Sequence, residues 1–425
     1  MTIAVFLGSL LGAMALGIPI AFSLLLCGAA LMWHLDMFDA QILAQNVIEG
    51  ANSFPLLAVP FFMLAGEIMN AGGISRRIVA FALSLVGHVK GGLGYVAIVS
   101  ACLMAALSGS AVADAAALAA LLLPMMTAAG HDKARSAGLL ASASIIAPVI
   151  PPSIAFVIFG VAANVSISKL FMAGIVPGLM LGASLWITWW WLARRENVPV
   201  PPRKTRSEVA AAFKDATLAL VLPVIVVVGL KFGVFTPTEA AVVAAVYALL
   251  ISTLVYGELK VSHLYGLFLS AAQTTAVVMF LVAAAMVSSW LITVAQLPAM
   301  VVGLLEPLLD SPKLLMATMM VLVMVVGTAM DMTPTILILT PVLMPIVKAA
   351  GIDPVYFGVL FIINNAIGLV TPPVGTVLNT VAGVGKVSMD EVTRGVMPFM
   401  LAQFTLLFLM VLFPALVMVP ARWFY

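Results

Sequence analysis

The chain has 425 residues, of which 64% are hydrophobic and 8% are charged, and its net charge is +2. These proportions lie far outside the range of a soluble domain. Apolar runs of about 20 residues recur along the whole length and are continuous rather than alternating. This pattern predicts an all-α polytopic membrane protein and excludes a β-barrel. We therefore expect a lipid bilayer around the chain and no nucleic-acid partner.

The first half of the chain, 1–193, is predicted to be a series of apolar helices. Three scaffold spans fall within 2–72, and the first of them lacks the basic segment and cleavage site of a removed signal peptide. A hairpin of two short arms follows at 91–128, around the sequence SGSAVAD. A helix over 134–164 and a span at 171–192 complete this half.

A basic polar segment, 194–215, is interpreted as the linker between two halves. The second half, 216–425, is predicted to hold the same series of elements. Its predicted elements are scaffold spans within 216–292, a hairpin at 312–348 around GTAMDM, a helix over 355–384 and a span at 396–418.

Helix-breaking residues recur at one fixed offset. The pair Pro151 and Pro152 reappears as Pro372 and Pro373, 221 positions later. The same offset relates further residues: Pro124 to Pro345, Gly130 to Gly351, Gly174 to Gly395 and Pro177 to Pro398. Because all of these residues interrupt or end helices, the pattern predicts two structurally equivalent halves, each with a helix broken at its Pro-Pro pair.

The distribution of lysine and arginine predicts how the halves are oriented. If each hairpin turns back within the membrane, each half has five crossings, and an odd number inverts the second half relative to the first. About ten crossings and two re-entrant hairpins result. With the N- and C-termini outside, 14 of the 19 lysines and arginines fall on the inner face, as the positive-inside rule requires.

The hairpins are predicted to be re-entrant from their length and from their tips. Arms of 15–17 residues reach about 23–25 Å, which is short of a hydrocarbon core of roughly 30 Å. If each arm were a full span, each half would gain two crossings and all the remaining loops would keep their sides of the membrane. The charge distribution therefore does not distinguish re-entrant hairpins from full spans. Small polar tips at membrane depth are tolerated only where they are buried in protein or face water.

Broken helices inside a membrane predict ion-coupled transport. Their cut ends expose carbonyls, which suit a hard cation such as Na⁺, and amides, which suit an anion. The sequence has no ATP-binding motif and no His/Cys cluster with metal-ligand spacing. We therefore expect no cofactor, with Na⁺ as the coupling ion.

Several motifs together resemble one family. They are FFMLAGEIMNAGG, SGSAVADAAALAA, IPPS, GTAMDMTPTILILTPVLMPI and TPPVGTVLN, and the resemblance runs from about residue 5 to residue 420. The chain resembles the large membrane subunit of tripartite ATP-independent periplasmic (TRAP) transporters, the DctM-like family. The resemblance implies a sodium-coupled elevator transporter of the bacterial inner membrane. It also implies a small four-helix membrane subunit and a periplasmic binding protein that delivers an organic acid such as sialic acid or a C4-dicarboxylate.

Hydroxyl and carbonyl oxygens at the hairpin tips and the Pro-Pro breaks are the candidate sodium ligands. The candidate residues are Ser108, Gly109, Ser110, Pro151 and Ser153 in the first half, and Gly327, Thr328, Thr371, Pro372 and Gly375 in the second half. The alternative is that each tip is only a tight turn between closely packed helices.

Five polar residues are candidates for lining a substrate cavity. Asp331 is an intramembrane carboxylate that either serves transport or caps its own tip, and Asp114 presents the same choice, with the cap favoured. The other three candidates are Asn365, Ser166 and Thr376.

Other functions stay open at this point. One is a stand-alone sodium-coupled carboxylate transporter without a binding protein. Another is an intramembrane enzyme built on Asp114 and Asp331, although the chain has no nucleophile–base motif and the two residues occupy tips that enter from opposite faces. A pure scaffold subunit is a third, although a scaffold needs no polar tips in the membrane.

Overall fold

A computed structural model describes residues 2–196, 198–297, 299–300, 302–303 and 309–424. These residues form helices joined by short loops and contain no strand, which confirms the all-α prediction. Eight of the described helical segments are long and apolar enough to cross a membrane, judged by length and composition. The exact number of crossings stays a prediction, and the terminal residues 1 and 425 lie outside the described part.

Ten α-helices are described in the first half. They are α1 (Thr2–Ala15), α2 (Ile20–His34), α3 (Ala40–Ala51), α4 (Ala58–Ala71, preceded by a 3₁₀ turn at Phe54–Leu57), α5 (Ile74–Val86), α6 (Gly92–Ser108), α7 (Ala111–Ala128), α8 (Lys133–Ser144), α9 (Ile154–Ala163) and α10 (Ile167–Ala193). The hairpin arms are α6 and α7, and α8 and α9 are the two pieces of the broken helix.

The described second half begins with three scaffold helices and repeats the hairpin and the broken helix. Its helices are α11 (Arg206–Lys231), α12 (Pro237–Leu250, extended by a π turn at Ile251–Val255), α13 (Val261–Val294), α14 (Pro312–Gly327), α15 (Met332–Ala349), α16 (Pro354–Gly368), α17 (Thr376–Gly385), α18 (Met389–Leu412) and α19 (Ala415–Ala421). The arms of the second hairpin are α14 and α15.

Several predicted bounds are wrong because helix caps were not used. The helix α11 starts inside the predicted linker, since Thr205 and Glu208 form a capping box. The helix α18 starts before the predicted 396 for the same reason, with a capping box at Ser388 and Glu391, and ends at Leu412 rather than running to 418, since Pro414 follows.

Two further expectations need correction. The amphipathic helices α3 and α5 were not predicted, since neither is an apolar run. The second arms α7 and α15 have 18 residues each, which corresponds to about 27 Å. Arm length is therefore a weaker argument for re-entrant hairpins than the sequence suggested.

The helix bounds follow the repeat that the sequence predicts. The arm α7 starts at 111 and ends at 128, and the arm α15 starts and ends 221 positions later. The helices α8 and α16 begin at 133 and 354, which are separated by the same offset. The Pro151–Pro152 and Pro372–Pro373 peptide bonds are both cis.

The two halves pack into each other rather than side by side. The second piece of each broken helix lies on the second hairpin arm of the other half, so that α9 contacts α15 and α17 contacts α7. The helices α8 and α18 also cross closely, where a Cβ at Gly395 would collide with the backbone carbonyl of Ala134. Small residues at such crossings allow the close backbone packing that holds membrane helices together.

An ion cluster fixes the end of α10 to the turn between α7 and α8. Glu196 accepts a hydrogen bond from Nδ1 of His131 at 2.6 Å and forms an ion pair with Arg135 at 2.5 Å. Burial acts to raise the pKa of Glu196, but the hydrogen bond from His131 and the charges of His131 and Arg135 outweigh it, so this pKa is lower than usual.

Candidate functional site

The first hairpin tip is a short polar turn between α6 and α7. Gly109 adopts a left-handed conformation with φ of 60°, which lets the chain reverse within three residues. Ser110 caps α7, and its hydroxyl accepts a hydrogen bond from the Ala113 amide at 3.4 Å. The Ser108 hydroxyl accepts one from the Ser110 amide at 3.2 Å. Both serines are thus held in place by their own tip.

A buried carboxylate lies directly behind this tip. Asp114 is fully buried, and its Oδ1 accepts a hydrogen bond from the Ser108 hydroxyl at 2.6 Å. Its Oδ2 is also buried and has no partner among the described residues. Asp114 therefore binds the Ser108 hydroxyl of its own tip, with one oxygen only. An unpartnered buried carboxylate oxygen is costly and is a suitable ligand for a hard cation.

The tip rests against the first Pro-Pro break. A Cβ at Gly109 would lie 2.5 Å from the carbonyl oxygen of Pro152, so the two backbones are in contact. Ser153 caps α9, since its hydroxyl accepts from the Phe156 amide at 3.2 Å and donates to the Pro148 carbonyl. Pro151 is buried beside it. The structure thus brings the five sodium-ligand candidates of the first half into one region.

A small cavity of about 80 Å³ opens next to the first tip. Ser108 and Ser110 line it from the tip, and Glu67 lines it from the facing helix α4. Glu67 is partly buried, and its Oε1 accepts a hydrogen bond from the Ser270 hydroxyl of α13 at 3.3 Å. A larger cavity of about 520 Å³ shares Glu67 and extends along α7 to Arg76.

The second tip meets its broken helix through two glycines. A Cβ at Gly368, the last residue of α16, would lie 2.9 Å from the carbonyl oxygen of Gly327. Thr328 lies next to Gly327, and its hydroxyl donates to the Val325 carbonyl at 2.7 Å. The Thr371 hydroxyl donates in the same manner to the Ile367 carbonyl at 2.8 Å.

Asp331 and Thr376 are joined across the second tip. The Thr376 hydroxyl donates to Oδ1 of Asp331 at 3.3 Å, which links the start of α17 to the start of α15. Asp331 is exposed and precedes α15 at the position that the 221-residue offset relates to Ser110. Asp114 lies four residues further along its own arm than Ser110 and is fully buried. Gly375 precedes α17 in a left-handed conformation with φ of 44°, and Pro372 is partly buried. Both tips therefore lie against their Pro-Pro breaks, but they differ in the position and the exposure of their carboxylates.

The remaining two cavity candidates lie in different regions. Asn365 is buried within α16, and its side-chain amide donates to the Phe361 carbonyl at 2.8 Å. Ser166 caps α10 and lines a separate cavity of about 410 Å³. Because Ser166 follows the far end of the ten-residue helix α9, about 15 Å of helix separates it from the first break.

Three polar residues near the first tip were missed in the sequence. Asn70 and Thr274 line the small cavity with Glu67, and Ser270 binds Glu67. A signal was present, since Glu67 and Asn70 are three residues apart, and Ser270 and Thr274 are four apart, in otherwise apolar helices. Such spacings place polar side chains on one helix face.

Comparison with known proteins identifies the family. The family model described as "Tripartite ATP-independent periplasmic transporter, DctM component" matches residues 7–416. The chain belongs to this family. A relative, the 2,3-diketo-L-gulonate TRAP transporter large permease protein YiaN of Escherichia coli (strain K12), is 58% identical over the full length of both chains. The suspected resemblance is confirmed, and the chain is a transporter permease rather than an enzyme.

More distant relatives carry other substrate names. The sialic acid TRAP transporter large permease protein SiaM of Vibrio cholerae is 39% identical over 95% of both chains. The C4-dicarboxylate TRAP transporter large permease protein DctM of Pseudomonas aeruginosa is 35% identical over 94% of both chains. Among solved structures, the YdaH transporter of Alcanivorax borkumensis matches 88% of this DctM-family chain and 89% of its own, with a TM-score of 0.63 and 15% identity. That match supports the fold alone.

Proposed function

We infer that this DctM-family permease imports an organic acid anion together with Na⁺, and that a periplasmic binding protein delivers the anion. The observation that carries sodium coupling is the Asp114 carboxylate. One oxygen is buried without a partner, next to a tip that rests on the carbonyl oxygen of Pro152. A sodium ion at this tip would satisfy the free oxygen, and carboxylate, hydroxyl and carbonyl oxygens are the ligands a hard cation prefers. The second site would use Gly327, Thr328, Thr371, Pro372 and Gly375.

The proposed architecture is two inverted repeats that work as an elevator. The contact between each tip and its broken helix supports re-entrant hairpins, since a break in the middle of a crossing helix lies near membrane mid-depth. The interleaved packing of α9 on α15 and of α17 on α7 supports a single mobile unit made from both hairpins and both broken helices. The scaffold would be the first three spans of each half. Both termini would be periplasmic, in the inner membrane.

The partners follow from the family. A small four-helix subunit in the membrane would complete the scaffold, and the binding protein would dock on the outer face. Only 22% of the most apolar stretch of α11 is buried within the described chain. The rest of this stretch is free to contact a membrane partner or lipid.

The substrate is proposed to be a sugar acid of the diketogulonate type. This proposal rests on the name of the 58% identical relative, and the sialic acid and C4-dicarboxylate names belong to relatives with less than 40% identity. The hydroxyl, amide and carboxylate groups beside the first tip would suit a substrate with several hydroxyl groups, since such groups both donate and accept hydrogen bonds. Asp331 and Thr376, which contact each other at the second tip, would line the other side of the route.

Uptake into proteoliposomes tests this function. The chain is reconstituted with the small subunit, and labelled 2,3-diketo-L-gulonate, sialic acid and succinate are offered with and without the cognate binding protein, in a Na⁺ gradient or with K⁺ instead. The proposal predicts uptake of the first compound only with both Na⁺ and the binding protein. Uptake that ignores the binding protein would identify a stand-alone carrier, and uptake without Na⁺ would refute the sodium assignment.

A further inference from the structure

A cavity with basic residues at its rim lies between α5, the linker and the start of α11. Its volume is about 670 Å³. Arg203, Lys204 and Arg206 line one part of it, and Phe81 and Phe213 line another. None of its lining residues belongs to a hairpin tip or a Pro-Pro break, and it has no part in the proposed transport cycle.

The positive charge in this cavity is mostly uncompensated. Lys204 forms an ion pair with Glu208 at 2.8 Å. Arg203 and Arg206 have no acidic partner within the part of the chain that the structure describes. Arg206 is also the first residue of α11, where the helix dipole adds further positive potential. An anion in the cavity would therefore be attracted by two free guanidinium groups.

A second polar group in the cavity lacks a partner. His88 lines the cavity, and its Nδ1 is buried without a hydrogen bond among the described residues. Because a buried polar atom without a partner is costly, a ligand group that can hydrogen-bond to it would be stabilised there.

The apolar part of the cavity has the position expected for acyl chains. The rings of Phe81 and Phe213 lie 5.6 Å apart, and Phe213 is two turns beyond Arg206 along α11. Two turns correspond to about 10 Å, which exceeds the roughly 5–8 Å of polar headgroup region on each side of the bilayer and so reaches the hydrocarbon. The helix then continues as an apolar span.

We propose that this cavity binds the headgroup of an anionic phospholipid, with its phosphate at Arg203, Arg206 and His88 and its first acyl methylenes on Phe81 and Phe213. Basic pockets between membrane helices on the inner face have the chemistry for such headgroups. A lipid held there would join α5 to the linker between the two halves. This proposal does not depend on the transported substrate.

Lipid binding to the purified large and small subunits tests the proposal. Phosphatidylglycerol or phosphatidylcholine is titrated into the detergent-solubilised complex, and bound lipid is counted by native mass spectrometry. We expect phosphatidylglycerol to bind more tightly and the double variant Arg203→Gln/Arg206→Gln to weaken this binding roughly 30-fold. The control Lys214→Gln/Lys260→Gln removes the same charge from exposed positions outside the cavity and should leave binding unchanged.

Each other outcome overturns the proposal. Equal losses in both double variants would mean general surface charge. Full displacement of the lipid by inorganic phosphate at the same concentration would mean a simple anion site, and equal binding of phosphatidylcholine would mean that charge does not matter. A Ser84→Cys cross-link to the small subunit that excludes lipid would mean that protein covers the cavity. In variants that lose lipid, an unchanged helical circular dichroism spectrum shows that the fold is intact.

Discussion

Gly109 is the residue at which the first tip touches the Pro-Pro break, and Gly109→Ala perturbs that contact directly. The new Cβ would lie 2.5 Å from the carbonyl oxygen of Pro152. A left-handed conformation costs a non-glycine residue about 1–2 kcal/mol, and overpacking adds about 1–3 kcal/mol. If sodium binding requires the tip to stay closed on the break, the overpacking strain falls on the bound state. Sodium binding should then weaken by about 5- to 150-fold, since ~1.4 kcal/mol is a factor of ten.

Gly351→Ala is the matched control. Gly351 has φ of 65°, close to that of Gly109, but a Cβ there would meet nothing within 4 Å. Both variants therefore bear the same backbone cost, and only Gly109→Ala bears the collision.

The assay is the sodium concentration that gives half-maximal uptake in proteoliposomes, measured for both variants and the wild type. Thermal unfolding of the same preparations separates loss of fold from loss of sodium affinity. The reasoning would be refuted if the two variants had the same half-maximal sodium concentration, because the contact with Pro152 would then have no role in ion binding.

Three further results are expected. Asp114→Asn should abolish the sodium dependence of uptake, since it removes the charge behind the first tip; unchanged dependence in a transport assay would contradict this role. The pKa of Glu196 is lower in the folded protein than its unfolded value, which is near 4–5, so the Glu196 carboxylate stabilises the fold above about pH 5. This stabilisation is lost as the pH falls below the unfolded pKa and through the folded pKa. Glu196→Gln should therefore flatten the drop in melting temperature at acid pH. Gly395→Ala should destabilise strongly through collision with Ala134, whereas Gly12→Ala, which meets nothing within 4 Å inside α1, should not lower the melting temperature.

Most of the fold could be predicted because membrane helices are limited by length and hydropathy. The first hairpin was predicted at 91–128 and its arms run from Gly92 to Ala128, since apolar runs bounded by glycines define it. The helix α5 was missed because it is amphipathic and short, and the start of α11 was missed because a capping box lies within a polar segment. In both helices the deciding feature was a local hydrogen bond or the distribution of apolar residues around the helix, rather than total hydropathy.

The site was harder to predict because its important differences arise from packing. The sequence placed Asp114 and Asp331 at the two hairpin tips, but it did not reveal that Asp114 is buried and Asp331 is exposed. It also predicted that the first tip faces the first break, and Gly109 lies against the carbonyl oxygen of Pro152. The Glu67–Ser270 hydrogen bond joins residues about 200 positions apart, and no local pattern predicts such a pair.

The interleaved packing has a consequence for biogenesis. The arm α7 leaves the ribosome long before its contact helix α17, which is made about 250 residues later. At synthesis rates of about 5–20 residues per second, the arm α7 waits for roughly 12–50 s in the membrane before that partner exists. The insertion machinery or a chaperone must cover the first hairpin during this interval. Neither half should therefore mature when it is expressed without the other.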